Sequence, residues 1–282
     1  MSNKLVDELI ELALKEDLGD GDHTSMACIP ADAIGTAQLL VKDEGILCGI
    51  AVARKIFVSL EREIRFEQLM NDGDKIKFGD IAFTVRGKVR TLLRAERLVL
   101  NIMQHMSGVA TQTNEYVRRL SGLKTRVLDT RKTTPGMRML DKEAVKTGGG
   151  ENHRTGLFDM ILIKDNHIDF AGGIHQALNR TETYLRQARK KLKVVIEARN
   201  LDDVKIILEN GKADRIMLDN FSLEDTRNAV ELIGVSCEIE SSGGITLENI
   251  RSYAECGVDF ISVGALTHQI RSLDLSLKAV DY

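Results

Sequence analysis

The chain of 282 residues has no tryptophan, and aromatic residues make up only 4% of it. Stacking platforms for single-stranded nucleic acid are built from aromatic side chains, so that class of partner is not expected. A formal net charge of -3 argues the same way, because non-specific nucleic-acid binding rests on an excess of basic charge. Neither GxGxxG after a strand nor GxxxxGK[ST] occurs, which removes the two common nucleotide-binding loops. Cys28, Cys48, Cys237 and Cys256 lie far apart with no CxxC pair. In a chain of this size they read as reduced, mostly buried thiols suited to the cytoplasm. The opening stretch MSNKLVDELIELALKED mixes charged with apolar residues, so neither a signal peptide nor a membrane span is expected.

What is present is an ordinary globular composition, 43% hydrophobic and 29% charged, in a chain long enough for a barrel with a smaller appendage. Basic and acidic residues nearly balance, so an anion site has to come from local clustering. Leu5, Leu9, Leu12 and Ala13 recur at helical spacing and predict an amphipathic helix that stops near Gly19. AQLLV, DKIKF and IAFTV read as strands, with IAVARKIFVSL as a helix among them, which makes a mixed α+β unit. Between Thr91 and Leu120 the residues Leu98, Val99, Ile102, Met103 and Met106 mark the apolar face of a long helix. Arg94, Arg97, Asn101 and Gln104 mark its polar face.

The texture then changes. TRVLD, MILIK, VVIEA, RIMLD, CEIES and FISVG are short apolar runs ending in polar residues, and helical segments with N-cap candidates at Asn200, Ser222 and Thr246 separate the later ones. Such alternation predicts a parallel sheet. The segment is too short for eight full units, so an incomplete α/β barrel of six or seven strands is expected.

In a barrel the strand ends converge on one mouth. That mouth would collect Asp129, Arg131 and Lys132; Lys164, Asp165 and Asn166; Glu197; Asp219 and Asn220; Ser241, Ser242 and Gly243; and Gly264. The turns SSGGIT and SVGALTH offer backbone N–H groups to a phosphate. A glycine turn alone is usually only a turn, and a single Lys or Glu at a strand end is usually solvated; their joint placement carries the argument. Arg131, His153, Arg154 and Lys164 suit planar carboxylates. Glu197 and Asp219 suit vicinal hydroxyls and a developing oxocarbenium centre. His23, His105, His167 and His175 lack metal-ligand spacing and read as structural.

The stretch LDTRKTTPGMRMLDKEAVKTGGGENHRTGLFDMILIKDNHI, together with EDLGDGDHTS, AERLVLN, IMLDNFS, SSGGIT and VDFISVGALTH, resembles the quinolinate phosphoribosyltransferases. The resemblance implies an N-terminal α/β sandwich domain, here residues 1–107, and an incomplete barrel over 108–269, with the tail 270–282 expected against the first domain. It implies phosphoribosyl transfer from phosphoribosyl pyrophosphate (PRPP) to quinolinate, with decarboxylation to nicotinate mononucleotide. Arg131, His153, Arg154 and Lys164 would hold the quinolinate carboxylates, and Lys132 the pyrophosphate. Glu197 and Asp219 would hold the ribose hydroxyls and stand as candidate Mg²⁺ ligands. Ser242, Gly243, Gly264 and His268 would border the phosphate. Arg97 would enter the active site of a neighbouring subunit in a homodimer or higher homo-oligomer, and no nucleic-acid or membrane partner is implied. Two departures stand out: Val195 occupies a position where the family commonly has an acid, and Gln269 one where it has Ser.

Three other readings remain open at this level. A related phosphoribosyltransferase could act on another base, a Schiff-base lyase could use Lys164 as its amine, and a regulatory protein could keep the pocket without turnover.

Overall fold

The computed structural model describes residues 2–281, and these fall into two compact units. One runs to Asn114 and adds Thr133–Gly149 and the chain from Leu266 on. The other holds Glu115–Lys132 and Gly150–Ala265. Residues 133–149, which the resemblance places within the barrel segment, therefore cluster with the first unit.

The first unit opens with α1 (Ser2–Leu18) and α2 (His23–Cys28), the latter capped by Asp22 accepting from the Ser25 amide at 3.0 Å. There follow β1 (Ile34–Val41), β2 (Gly45–Ile46), α3 (Ile50–Leu60), β3 (Arg65–Gln68), β4 (Lys75–Ile76), β5 (Ile81–Lys88) and the long α4 (Val89–Arg119). Phe57, Phe66 and Phe83 cluster at this core, with Phe57 and Phe83 fully buried. Burying such a ring contributes about 1.5–3 kcal/mol. Leu98, Val99, Ile102, Met103 and Met106 are all buried along α4, as their spacing predicts. Its polar face is less open than expected. Arg97 and Asn101 are exposed, but the Gln104 side chain donates to the Leu275 carbonyl at 3.0 Å, so the C-terminal chain covers part of that face.

Two expectations change here. Leu5 and Leu12 are exposed and Ile10 is buried, so α1 turns a different face inward from the one its leucines mark. DKIKF contributes only β4, a two-residue strand paired with β2, because the turns on either side of it leave little room. Two elements had no strong periodic signal: β3, and α5 (Arg138–Thr147), whose first turn begins without a side-chain cap.

The second unit contains every strand expected of the barrel. They are β6 (Arg126–Leu128), β7 (Ile161–Ile163), β8 (Val194–Ala198), β9 (Arg215–Asp219), β10 (Glu238–Ser242) and β11 (Phe260–Ser262). All pair in parallel, in the order β6-β11-β10-β9-β8-β7. Because chain order is followed around the sheet, β6 and β7 are its two open edges, the arrangement of an incomplete barrel. Glu151 forms a single parallel bridge on the free side of β6 and satisfies two backbone groups there: its amide donates to the Val127 carbonyl and its carbonyl accepts from the Asp129 amide.

The crossovers are α6 (Asp165–Ala171), α7 (Ile174–Ala188), α8 (Leu201–Asn210), α9 (Leu223–Ile233) and α10 (Ile250–Ala254). Residues of β8 are buried on both faces, the pattern of a parallel strand covered by helices. Asn200 and Ser222 cap α8 and α9 as predicted, accepting from the Asp203 and Asp225 amides at 2.9 and 3.0 Å. Thr246 does not cap a helix. Asn249 is the residue before α10, and its side chain folds back to accept from the Thr246 amide and donate to the Gly244 carbonyl, which keeps 244–248 as a loop. The single-turn α11 (Ala265–His268) follows β11, and β12 (Leu275–Asp281) completes the first unit's sheet in the order β12-β1-β5-β3, antiparallel to β1.

Candidate active site

Strand alternation decides which residues share the barrel's inner face. Register aligns Leu162 with Val195, Glu197 with Met217, Asp219 with Ser242, Glu240 with Phe260, and Phe260 with Arg126. Lys164, Glu197, Asp219 and Ser242 therefore lie on one face at the C-terminal ends of successive strands, where the sequence placed them.

Glu197 is the organising carboxylate. It is buried at 6% exposure, with Oε1 3.2 Å from Lys164 Nζ and Oε2 accepting from the Asp165 amide at 3.1 Å. Val195, where the resemblance leads one to look for a second acid, is fully buried on the same strand. His167 accepts from the Lys164 amide through Nδ1 at 3.0 Å and so closes the start of α6 beneath Lys164.

Arg154 is 8% exposed. Burial and the nearby positive charge of Arg131 lower its pKa, against the opposing pull of Asp159 and Glu197. Two guanidinium groups thus share a field with the exposed Asp159 and the buried Glu197, and an incoming anion would relieve the repulsion between the two cations. The turn after Arg154 is held by Asp159, whose two carboxylate oxygens accept from the Thr155 and Gly156 amides at 2.7 and 2.9 Å. Arg131 and Lys132 are exposed, and the Lys132 amide donates to Thr130 Oγ1.

The loop after β10 is shaped by a contact the sequence did not announce. Asn220 has φ +57, donates its amide to the Ser242 carbonyl at 2.8 Å, and turns its side chain toward Gly243. A Cβ on Gly243 would lie 2.2 Å from Asn220 Oδ1, and Gly243 itself has φ +89. Only glycine fits there without displacing Asn220. Asn220 Nδ2 also donates to Asp219 Oδ2 at 3.0 Å, so one side chain links the end of β9 to the loop after β10.

Gly264 follows β11 and is half-buried. His268 and Arg97 belong to the first unit, and both are exposed. Cys48 and Cys256 are buried, Cys237 is half-buried and Cys28 is exposed; burial pushes the Cys48 thiol up to about 12. Among the described residues no helix is long and apolar enough to cross a membrane.

As for a divalent ion, Glu197 already engages Lys164 and a backbone amide, whereas Asp219 accepts a neutral amide. No group of three or more His, Cys, Asp or Glu converges among the described residues. This donor set fits Mg²⁺ brought in on phosphates and held by one or two carboxylates and water, since that ion keeps much of its hydration. It does not resemble a closed protein cage.

Beneath the mouth lies a second polar layer that reading strand ends alone missed. Arg215 on β9 donates to Glu238 and, at 2.8 Å, to the fully buried Glu240 on β10, and its guanidinium lies 3.8 Å from the Phe260 ring centre. The signal was available in RIMLD and CEIES, where charged residues occupy inner-face positions of strands otherwise apolar.

An incomplete α/β barrel whose mouth gathers guanidinium, ammonium and carboxylate groups beside glycine loops has the architecture of a phosphoribosyltransferase of the barrel type. Comparison with known proteins narrows this. The model of the quinolinate phosphoribosyl transferase C-terminal domain matches residues 109–278, and that of its N-terminal domain matches 22–107. The chain belongs to the quinolinate phosphoribosyltransferase family. It is 44% identical to quinolinate phosphoribosyltransferase [decarboxylating] 1b of Nicotiana tabacum over 96% of this chain and 81% of that one. It is 38% identical to a probable nicotinate-nucleotide pyrophosphorylase [carboxylating] of Bacillus subtilis, over 98% and 94%. The structure of the nicotinate-nucleotide pyrophosphorylase from Francisella tularensis superposes with a TM-score of 0.92 at 42% identity, covering 99% of this chain and 97% of that one.

Proposed function

We propose that the barrel mouth transfers the phosphoribosyl group of PRPP to the ring nitrogen of quinolinate and promotes loss of the adjacent carboxylate, giving nicotinate mononucleotide, CO₂ and pyrophosphate. This is a step of NAD biosynthesis. The observation that carries the reading is the buried Arg154, whose pKa is lowered by burial and by the positive charge of Arg131, since guanidinium groups match the carboxylates of an aromatic diacid.

Arg131, His153, Arg154 and Lys164 hold the carboxylates and fix the ring edge. Glu197 and Asp219 accept from the ribose hydroxyls and face the positive charge that develops at the anomeric carbon. Lys132 meets the pyrophosphate, and the loops at Ser242–Gly243 and Gly264, with His268, border the 5′-phosphate. Mg²⁺, with Asp219 and Glu197 as its protein carboxylates, would neutralise charge on the leaving pyrophosphate. Nitrogen attack at the anomeric carbon leaves a cationic ring. Departure of CO₂ from the neighbouring carbon then leaves an electron pair that the ring nitrogen stabilises, and a proton adds there. The protein supplies position and charge and needs no covalent nucleophile.

The same reading makes the enzyme at least a homodimer, with Arg97 of one subunit completing the site of another, and sets it in the cytoplasm, where four unpaired thiols are at home. Incubation with PRPP, Mg²⁺ and either quinolinate or nicotinate tests the reaction. Quinolinate should yield nicotinate mononucleotide and CO₂. Nicotinate should react feebly, because it leaves one cation of the site without a partner; comparable rates for the two acids would sink the reading.

A further inference from the structure

The exposed cations Arg131 and Lys132 end a stretch of the second unit, and the first unit takes up the chain at Thr133. The residues that follow are held by α5 as well as by their own turn. The Thr134 amide donates to Asp141 Oδ2 at 3.1 Å, and Arg138 Nε donates to Thr133 Oγ1 at 3.1 Å. The Thr134 carbonyl accepts from the Met137 amide at 3.0 Å. Pro135 has no amide to place and Gly136 has φ +82, so the chain turns back into the start of α5. Asp141 is the centre of this anchor. It is fully buried, so it cannot touch a ligand, and a buried carboxylate is tolerated only when its oxygens are bonded. Oδ1 lies 2.6 Å from His105 Nε2 on α4. An ionised carboxylate only accepts, so the facing ring nitrogen donates. The His105 side chain is 16% exposed and belongs to the same unit, and it fixes the plane of the carboxylate that holds Thr134.

We infer that Asp141, oriented by His105, is a positioning residue for Lys132: it ties down the chain two residues after that cation and so sets where the ammonium group meets the leaving pyrophosphate. A lysine stem is long and rotatable, and its charge is placed well only when the backbone beneath it is fixed. The Lys132 amide donates to Thr130 Oγ1 at 3.0 Å, which braces the chain on one side of the residue; Asp141 braces it on the other. The competing account is a pair that only fills the inside of the first unit, whose loss would lower stability and affect all ligands alike. The inference rests on the proposed function in that Lys132 is taken to meet pyrophosphate.

Two probes separate the accounts: pyrophosphate with Mg²⁺, which meets Lys132, and ribose 5-phosphate, which shares the rest of PRPP and lacks that group. Both are measured as inhibitors competing with PRPP, on the whole enzyme and below the thermal midpoint of every variant. Asp141→Ala leaves the Thr134 amide without its acceptor. It should raise the Ki of pyrophosphate about tenfold and leave that of ribose 5-phosphate within about threefold. Asp141→Asn keeps an oxygen for the Thr134 amide and should stay within about threefold of wild type for both. His105→Leu, which frees the carboxylate without removing it, should raise the Ki of pyrophosphate about fivefold. Equal losses for the two probes in Asp141→Ala, or an Asn variant as damaged as the Ala one, would overturn the inference. Hydrogen exchange reads the anchor in the wild-type protein without any ligand and whatever the variants do to folding. The Thr134 amide should be protected, and exchange at the rate of an unstructured chain overturns the inference. Lys132→Ala is the control for the reading beneath. If it leaves the affinity for pyrophosphate unchanged, the assignment of Lys132 fails; if it weakens that affinity while Asp141→Ala does not, the inference alone fails.

Discussion

Arg154 is a cation kept largely out of water beside another cation, a placement that costs free energy in the empty site and is repaid when an anion arrives. Its planar donors can meet a carboxylate with two parallel hydrogen bonds, which a lysine ammonium cannot reproduce. Arg154→Lys should therefore lose about 2–3 kcal/mol of transition-state stabilisation, roughly thirty- to 160-fold in kcat/KM for quinolinate, despite the retained charge. An activity within a factor of about three of wild type would remove Arg154 from the carboxylate site. Glu197 sits on the other side of the same balance. It is bonded to Lys164 and the Asp165 amide, so Glu197→Gln releases Lys164 from a competing carboxylate while weakening the grip on ribose hydroxyls. Calorimetric titration with each ligand separately should show PRPP binding weakened and quinolinate binding nearly unchanged or slightly improved; equal losses for both would count against the assignment.

At the scale of elements, the loop after β10 depends on one glycine. Gly243→Ala would both place a side chain at φ +89 and drive its Cβ into Asn220. The backbone term alone is about 1–3 kcal/mol, and Asn220, bound to Asp219 and to the Ser242 carbonyl, has little freedom to withdraw. Gly243→Ala should lower the thermal midpoint and raise the KM for PRPP more than that for quinolinate; a variant with wild-type stability and PRPP affinity would show that the loop is not a phosphate border. The same elements explain what the sequence allowed one to read. The six parallel strands were legible because strands buried on both faces become short apolar runs, and the caps at Asn200 and Ser222 because their side chains answer a local need of the helix start. Thr246 misled because Asn249, three residues on, offers the backbone a better local partner. The charges of the Arg215–Glu240 layer are visible in RIMLD and CEIES, but their pairing and the Asn220–Gly243 contact each join residues more than twenty positions apart, through strand register that composition does not reveal.

At the scale of the whole molecule, Arg97 is the residue whose assigned role a single chain cannot fulfil by itself under the proposed function. It is exposed on α4 in the first unit, whereas Lys132, assigned to pyrophosphate, ends a segment of the second. An isologous two-fold interface presents the same surfaces reciprocally, so an arginine given to a partner is matched by one received. An exposed arginine with no such role would be nearly neutral on removal, since solvated charges contribute little. Mixing Arg97→Ala with Lys132→Ala chains decides between these. Each variant should be inactive alone. After subunit exchange a mixed dimer carries both lesions in one site and neither in the other, and with random pairing about half the dimers are mixed, which restores roughly a quarter of all sites. Exchange is verified independently with two differently tagged chains. If exchange is complete and activity stays at the level of the separate variants, the site is not shared between subunits, and if Arg97→Ala is fully active by itself, the arginine is an ordinary solvated side chain.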